Sequence, residues 1–156
     1  LIPAAHVNLA GSPSLQTCTR DVYPPGFQLS TRLALGIATD VTSALAHLHQ
    51  RGVMHGDLYA HNILFDPVHG QAQLGDFGAA TRLPSNQAKL RLRLQALEVR
   101  ALGCLLEELA AATGADTEHP LAPLFYTLAQ ACLCAEPHQR PTAADVAEAL
   151  KVARPC

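Results

Sequence analysis

Residues able to do chemistry gather in two short stretches, His55-Gly56-Asp57-Leu58-Tyr59-Ala60-His61-Asn62 and, further on, Asp76-Phe77-Gly78. Asp57 and Asn62 stand five apart on one loop, and a hairpin over the intervening residues would bring Asp76 alongside them. Three oxygen-bearing side chains then converge. Hard oxygens of this kind suit Mg²⁺, which takes one or two carboxylates together with phosphate oxygens and water. A remaining carboxylate is free to act as a base on a hydroxyl. The competing reading is a set of polar turn residues that cap backbone groups. His61 divides in the same way, between a contact to phosphate and an ordinary hydrogen-bonded histidine.

The elements that must hold these loops can be read from apolar spacing. Residues 1–28 are punctuated by Pro3, Gly11, Pro13, Pro24, Pro25 and Gly26 and carry no apolar period, so an irregular lead-in is expected. From Ser30, a suitable N-cap, Leu33, Ile37, Val41, Leu45 and Leu48 recur every three or four residues, which predicts a helix over 31–50 that stops at Gly52. Two short apolar runs, Asn62 to Phe65 and Ala72 to Leu74, flank Asp66-Pro67-Val68-His69-Gly70 and predict a small β-hairpin. Leu90, Leu94, Leu97, Ala101, Leu105 and Leu109 fit one helical face, and the good helix formers around them decide for helix over strand. A further helix is expected from Leu121 to about Cys134 through Leu124, Phe125, Leu128 and Cys132. The last opens at Thr142, where Thr142 and Asp145 form a capping box.

Composition limits what such a scaffold does. The 156 residues include 27 Ala and 25 Leu but only 11 Val and Ile together, which favours a mainly α protein with little strand. A formal net charge of −2 gives no basic field for nucleic acid or an anionic membrane. No stretch approaches the roughly 18 apolar residues of a membrane span, and no signal-peptide pattern opens the chain. Five scattered cysteines without a C-x-x-C fit reduced thiols of the cytoplasm. Cys132, Cys134 and His138 make a poor metal site, since two helical cysteines so spaced point about 200° apart and a fourth ligand is missing. Lys89, Arg91 and Arg93 read as a solvated helix face, with an acidic partner or a phosphate as the alternative. The chain opens on Leu1 and its only methionine is Met54, which points to a processed chain or a piece of a longer reading frame.

Taken in order, these motifs resemble the eukaryotic-type protein kinases. His55-Gly56-Asp57-Leu58, Asn62 and Asp76-Phe77-Gly78 look like the catalytic loop and metal-binding motif of that family. Ala44 to Val53 resembles the helix leading into the loop, Glu98 to Leu109 the buried central helix of the C-terminal lobe, and Arg140-Pro141-Thr142 the motif near the domain end. The H-G-D-L-Y-A-H-N wording is similar to the kinase-like domain of bacterial leucine-rich-repeat protein kinases. The resemblance implies a kinase C-lobe over 29–153, after a post-hinge lead-in at 1–28 and before a tail at 154–156. It implies Asp57 as catalytic base, and Asn62 and Asp76 as ligands of Mg²⁺ on ATP. His55, Phe77, Gly78 and Arg140 become supporting residues, His55 and Phe77 fixing the loop and packing beneath it. Partners would be ATP, a protein substrate with an acceptor hydroxyl, and an N-lobe or repeat domain of the parent chain.

The departures from the family pattern matter as much. Gly56 stands where many kinases carry the Arg that pairs with a phosphorylated activation loop, which argues against that control. Tyr59 replaces the Lys that serine/threonine kinases present to the γ-phosphate, and His61 an Arg of many tyrosine kinases. No A-P-E lies between Asp76 and Glu98, so Arg140 lacks the family's Glu partner, and Glu98 replaces an Asp. Nothing in the chain resembles the Gly-rich loop or the strand lysine of the N-lobe, so the chain alone is expected to be inactive. Two further readings stay open: a small-molecule phosphotransferase of the aminoglycoside or choline kinase type, and a non-catalytic pseudokinase-like scaffold.

Overall fold

Twelve of the 20 residues of helix α1, Thr31–Gln50, are buried, as a helix does when it is packed on most of its circumference. It starts where the Ser30 hydroxyl accepts from the Leu33 N–H and ends just before Gly52, the limits expected from the spacing. A computed structural model describes residues 6–17, 20–114 and 122–153. Around α1 lie helix α2 (Ala88–Ala112), helix α3 (Ala122–Leu133) and helix α4 (Ala143–Ala153). The strands are short: β1 (Val7–Asn8), β2 (Val53–Met54), β3 (Ile63–Phe65), β4 (Ala72–Leu74) and β5 (Thr81–Arg82).

The core joins α1 to α4 on one side and α2 to α3 on the other. Ile37, Val41 and Leu45 of α1 share one core with Leu102, Leu105, Leu106 and Leu109 of α2, Phe125 of α3, and Val146 and Leu150 of α4, all at 0–1% exposure. Burial of each such side chain contributes about 1.5–3 kcal/mol. The mainly α expectation holds, and the Ala and Leu excess occupies these helices. The expected capping box also forms, with the Thr142 N–H and hydroxyl donating to the Asp145 carboxylate at 2.8 and 2.7 Å and the Asp145 N–H donating back at 3.2 Å.

The hairpin is present but is part of something larger. Antiparallel β3 and β4 pair Ile63 with Leu74 and Phe65 with Ala72, and β1 adds to the other edge of β3 through Val7 and Asn8. Its turn lies on α1: a Cβ at Gly36 would stand 2.7 Å from the Gly70 carbonyl oxygen, so only a glycine permits this approach. A second ribbon pairs β2 with β5, Val53 opposite Arg82 and Met54 opposite Thr81.

Two expectations change. The segment expected to be irregular carries β1 and a bridge between Gly11 and Val22, and it buries Leu9, Ala10 and Asp21. Two-residue strands carry too little alternation to be read from sequence. On α2 the expected face holds only in its second half: Leu105 and Leu109 are buried and Ala101 packs against the core, while Leu90 and Leu97 are 42% and 55% exposed and Val99, Leu102 and Leu106 widen the buried side. Full burial begins at Glu98, and before it Arg91 and Gln95 reach only the end of α1, through the His49 carbonyl. Leu121, expected to open the third helix, and the expected tail at 154–156 lie outside the described residues.

Candidate active site

The two ribbons determine what meets at the site. The chain runs from β2 through residues 55–62 into β3, and from β4 through residues 75–80 into β5. Because β3 pairs with β4 and β2 with β5, both loops are pinned side by side at each end. The Gly75 N–H donates to the Asn62 carbonyl at 2.8 Å, which places Asp76 directly beside the first loop.

The first loop is held from inside by His55, whose side chain is fully buried. Its Nε2–H donates to the Gly75 carbonyl at 2.8 Å, which leaves Nδ1 as the acceptor for the Asp57 N–H at 3.3 Å. A carbonyl accepts only, so the proton on Nε2 follows from the bond itself. The ring meets Phe77 edge-on, with centroids 4.9 Å apart. Phe77 is 51% exposed, so it braces the loop from its rim and does not pack beneath it as expected. Gly78 donates its N–H to the Asp76 carboxylate at 3.1 Å, and Asp76 itself adopts φ 49° at the start of a single 3₁₀ turn.

Asn62 is buried and spends its Nδ2 on Asp57, donating 2.9 Å bonds to both the carbonyl and the carboxylate Oδ2 of that residue. The donors are thereby committed, and the amide oxygen of Asn62 is the atom left for other work. Asp57 is half-buried and Asp76 exposed. The site thus assembles carboxylate and amide oxygens at the rim of two anchored loops. Among the described residues no three His, Cys, Asp or Glu side chains converge.

Two anchors were not foreseen as such. Glu98, on the buried face of α2, accepts from the Gly56 N–H at 2.6 Å, the His55 N–H at 3.2 Å and His49 Nε2 at 2.8 Å. Burial pushes its carboxyl pKa upward, but the His49 bond and the two backbone N–H groups outweigh that and hold it below the ordinary carboxylate value. A glutamate embedded among leucines was the available signal. The second anchor, Asp21, accepts from the Ala60 N–H at 3.1 Å, the His61 N–H at 2.8 Å and His61 Nδ1 at 2.6 Å. His61 is therefore a hydrogen-bonded loop residue on this ring nitrogen. Next to it the Arg20 guanidinium lies 4.4 Å from the Tyr59 ring centroid and donates to Glu108 at 3.2 Å. No local sequence pattern pointed to Asp21, because its partners lie some 40 residues away.

Gly56 has φ +84°, and a Cβ there would stand 2.6 Å from the Ala79 carbonyl oxygen. The position where many kinases carry Arg is thus closed to any side chain in this backbone. Arg140 stands apart from the loops and, lacking the family's Glu partner, donates to three carbonyls, those of Ala96 and Cys134 at 2.8 Å and of Ala135 at 3.4 Å. It ties α2 to the segment that precedes α4, a supporting task.

Comparison with known proteins agrees with this pattern of loops. The protein kinase domain family matches residues 14–96, just over half of the chain, and the chain belongs to that family. The serine/threonine-protein kinase PrkC of Bacillus subtilis is 34% identical over 99 residues, which is 52% of this chain and 15% of that protein. The serine/threonine-protein kinase AtPK2/AtPK19 of Arabidopsis thaliana is 44% identical over 54 residues, 35% of this chain and 11% of the relative. The serine/threonine-protein kinase mos of Gallus gallus is 42% identical over 74 residues, 42% of this chain and 21% of the relative. The matched regions span between about a tenth and a fifth of these curated relatives. The family model and the names of these relatives point to protein kinases and not to small-molecule phosphotransferases.

Proposed function

We propose that this chain is the C-terminal lobe of a serine/threonine-type protein kinase, over residues 29–153, and that its two anchored loops carry the family's phosphoryl-transfer chemistry from ATP to a protein hydroxyl. The observation that supports this most is the Asn62–Asp57 bond of 2.9 Å. It orients one carboxylate oxygen of Asp57 and leaves the other for the acceptor hydroxyl, which Asp57 would align and relieve of its proton. The donor set fits Mg²⁺: Asn62 and Asp76 offer hard oxygens. Those two residues would hold the metal against the ATP phosphates, where it neutralises charge on the transferring group. His55, Phe77 and Gly78 keep the Asp76 loop in register with Asp57. Among the described residues Cys104, Cys132 and Cys134 are free thiols, which fits a reducing, cytoplasmic setting, and no helix is long and apolar enough to cross a membrane.

Nothing in the 156 residues resembles the Gly-rich loop or the strand lysine that grip the phosphates in the family. Weak nucleotide binding and no measurable phosphate transfer are therefore expected from the polypeptide by itself, with an N-lobe or repeat domain of the parent chain as the natural completion. Two measurements test the two halves separately. In amide NMR spectra, Mn²⁺-ATP should broaden Asn62, Gly75 and Asp76 first, and Asp76→Ala should remove that effect. Broadening spread evenly over the surface would sink the site assignment. Radiolabelled ATP should give no transfer above the Asp57→Ala background, and transfer that depends on Asp57 would overturn the claim of inactivity.

A further inference from the structure

Away from both loops, the N-terminal half of α2 forms one wall of an open groove of about 990 Å³, whose other walls are the end of α1 and the segment 136–144 leading into α4. Lys89, Leu92, Arg93 and Ala96 line it at the i, i+3, i+4, i+7 spacing of one helical face. With Leu97 and Val99 they extend this wall over about 15 Å of helix axis, at 1.5 Å per residue. The groove is apolar and bare. Leu92 and Leu97 are 61% and 55% exposed, against 0–1% for the leucines of the same helix that reach the core.

Charge at the groove is one-sided. Lys89, Arg93 and Arg140 line it against a single carboxylate, Glu136, and that carboxylate already has His138 at 3.8 Å. Arg140 is occupied by three carbonyl oxygens and meets no carboxylate. Arg91, the third cation of the same run, turns away and donates to the His49 carbonyl at 2.8 Å, closing the end of α1. The alternation Lys89-Leu90-Arg91-Leu92-Arg93 therefore divides: Arg91 serves the fold, while Lys89 and Arg93 form no hydrogen bond or ion pair among the described residues. An elongated apolar channel edged by unanswered cations is the shape and charge that a helix-in-groove or extended peptide ligand requires.

We propose that this groove is a docking site for an acidic peptide segment of a partner protein, with apolar side chains seated on Leu92, Ala96 and Leu97 and carboxylates facing Lys89 and Arg93. The site is independent of the catalytic reading, since none of its cations touches residues 55–62 or 75–80.

The test uses the intact chain and two fluorescein-labelled synthetic peptides that share leucines at i, i+3 and i+7, with Glu at the intervening positions in one and Lys in the other. By fluorescence anisotropy the acidic peptide should bind saturably and weaken as salt is added, and the basic one should not bind. The double variant Lys89→Glu/Arg93→Glu should lose about tenfold or more in affinity for the acidic peptide and gain binding of the basic one. Leu92→Asp should abolish binding of the acidic peptide. All three positions are exposed, so circular dichroism should show the variants folded like the parent. Equal binding of both peptides, or an unchanged affinity in the double variant, overturns the proposal. So does sedimentation showing a dimer that Leu92→Asp dissolves, which would make a second copy of the chain the occupant.

Discussion

Replacing Glu98 with Gln removes a charge and almost no volume, and so isolates what one carboxylate does for the loop it holds. In the native chain its two oxygens receive three donors, at 2.6, 2.8 and 3.2 Å, two of them backbone N–H groups of His55 and Gly56. The amide keeps one oxygen, which can retain the Gly56 bond. Its NH₂ then faces the His55 N–H, donor against donor, in a place where Glu98 is 3% exposed and water cannot intervene. A buried donor left unsatisfied costs about 1–3 kcal/mol, and a hydrogen bond to a charged group contributes about 1.5–3 kcal/mol. Allowing for the bond that survives, the expected loss is about 3 kcal/mol. At about 2–4 °C per kcal/mol for a chain of this size, the melting temperature should fall by about 10 °C. Urea unfolding followed by circular dichroism measures the loss, and hydrogen exchange at His55 and Gly56 locates it. The pH dependence supplies a second arm. Because the fold holds the Glu98 carboxyl below its ordinary value, its contribution is complete above the unfolded pKa of about 4.3 and is lost as pH falls through the lower folded value. The gap between the native chain and Glu98→Gln should therefore narrow on acidification. A midpoint unchanged at neutral pH, or a gap that stays constant into acid, would refute the reasoning.

Two further outcomes follow from the same geometry. Gly56→Ala should destabilise the chain by about 2 kcal/mol or more, since φ +84° and a Cβ 2.6 Å from the Ala79 oxygen both oppose it; a urea midpoint equal to the parent's would show that the loop relaxes without cost. Cys132, fully buried on α3 with its thiol pKa pushed up to about 11 by desolvation, should resist iodoacetamide in the native state at mildly alkaline pH while the half-buried Cys104 and Cys134 react first. Peptide mapping by mass spectrometry reads the order, and early modification of Cys132 in the folded chain would contradict the burial.

What the sequence disclosed depended on how local the cause was. Helix α1, the Thr142–Asp145 capping box and the hairpin all arise from neighbours within a few positions, and each stands where the spacing placed it. Asp57, Asn62 and Asp76 were legible as residues, since their order is itself a motif, and the ribbons set the loops that carry them side by side. Asp21 and Glu98 were not legible as anchors, because each acts on backbone N–H groups some 40 residues distant. The first half of the α2 face was misread for a related reason, while Leu105 and Leu109 stand in the core as expected. Its leucines recur along the whole helix, and only the packing from Glu98 onward decides which of them are covered.

The two anchors also bear on how the loop is kept in shape. Glu98 supplies its negative charge from the core-facing side of α2, and Asp21 supplies a second from the segment before α1, so residues 55–62 are gripped at their start and near their end. Both carboxylates are built into the fold and stand ready without any chemical modification. An Arg at position 56, which on the proposed reading would pair with an added phosphate, has no room beside Ala79. Order in this loop is therefore set by packing: Val99 and Leu102 lie just beyond Glu98 and are 1% and 0% exposed. A cavity at Leu102, costing about 2–5 kcal/mol as Leu→Ala, would loosen the face of α2 that aims Glu98 and so reach the loop through the helix that carries its anchor.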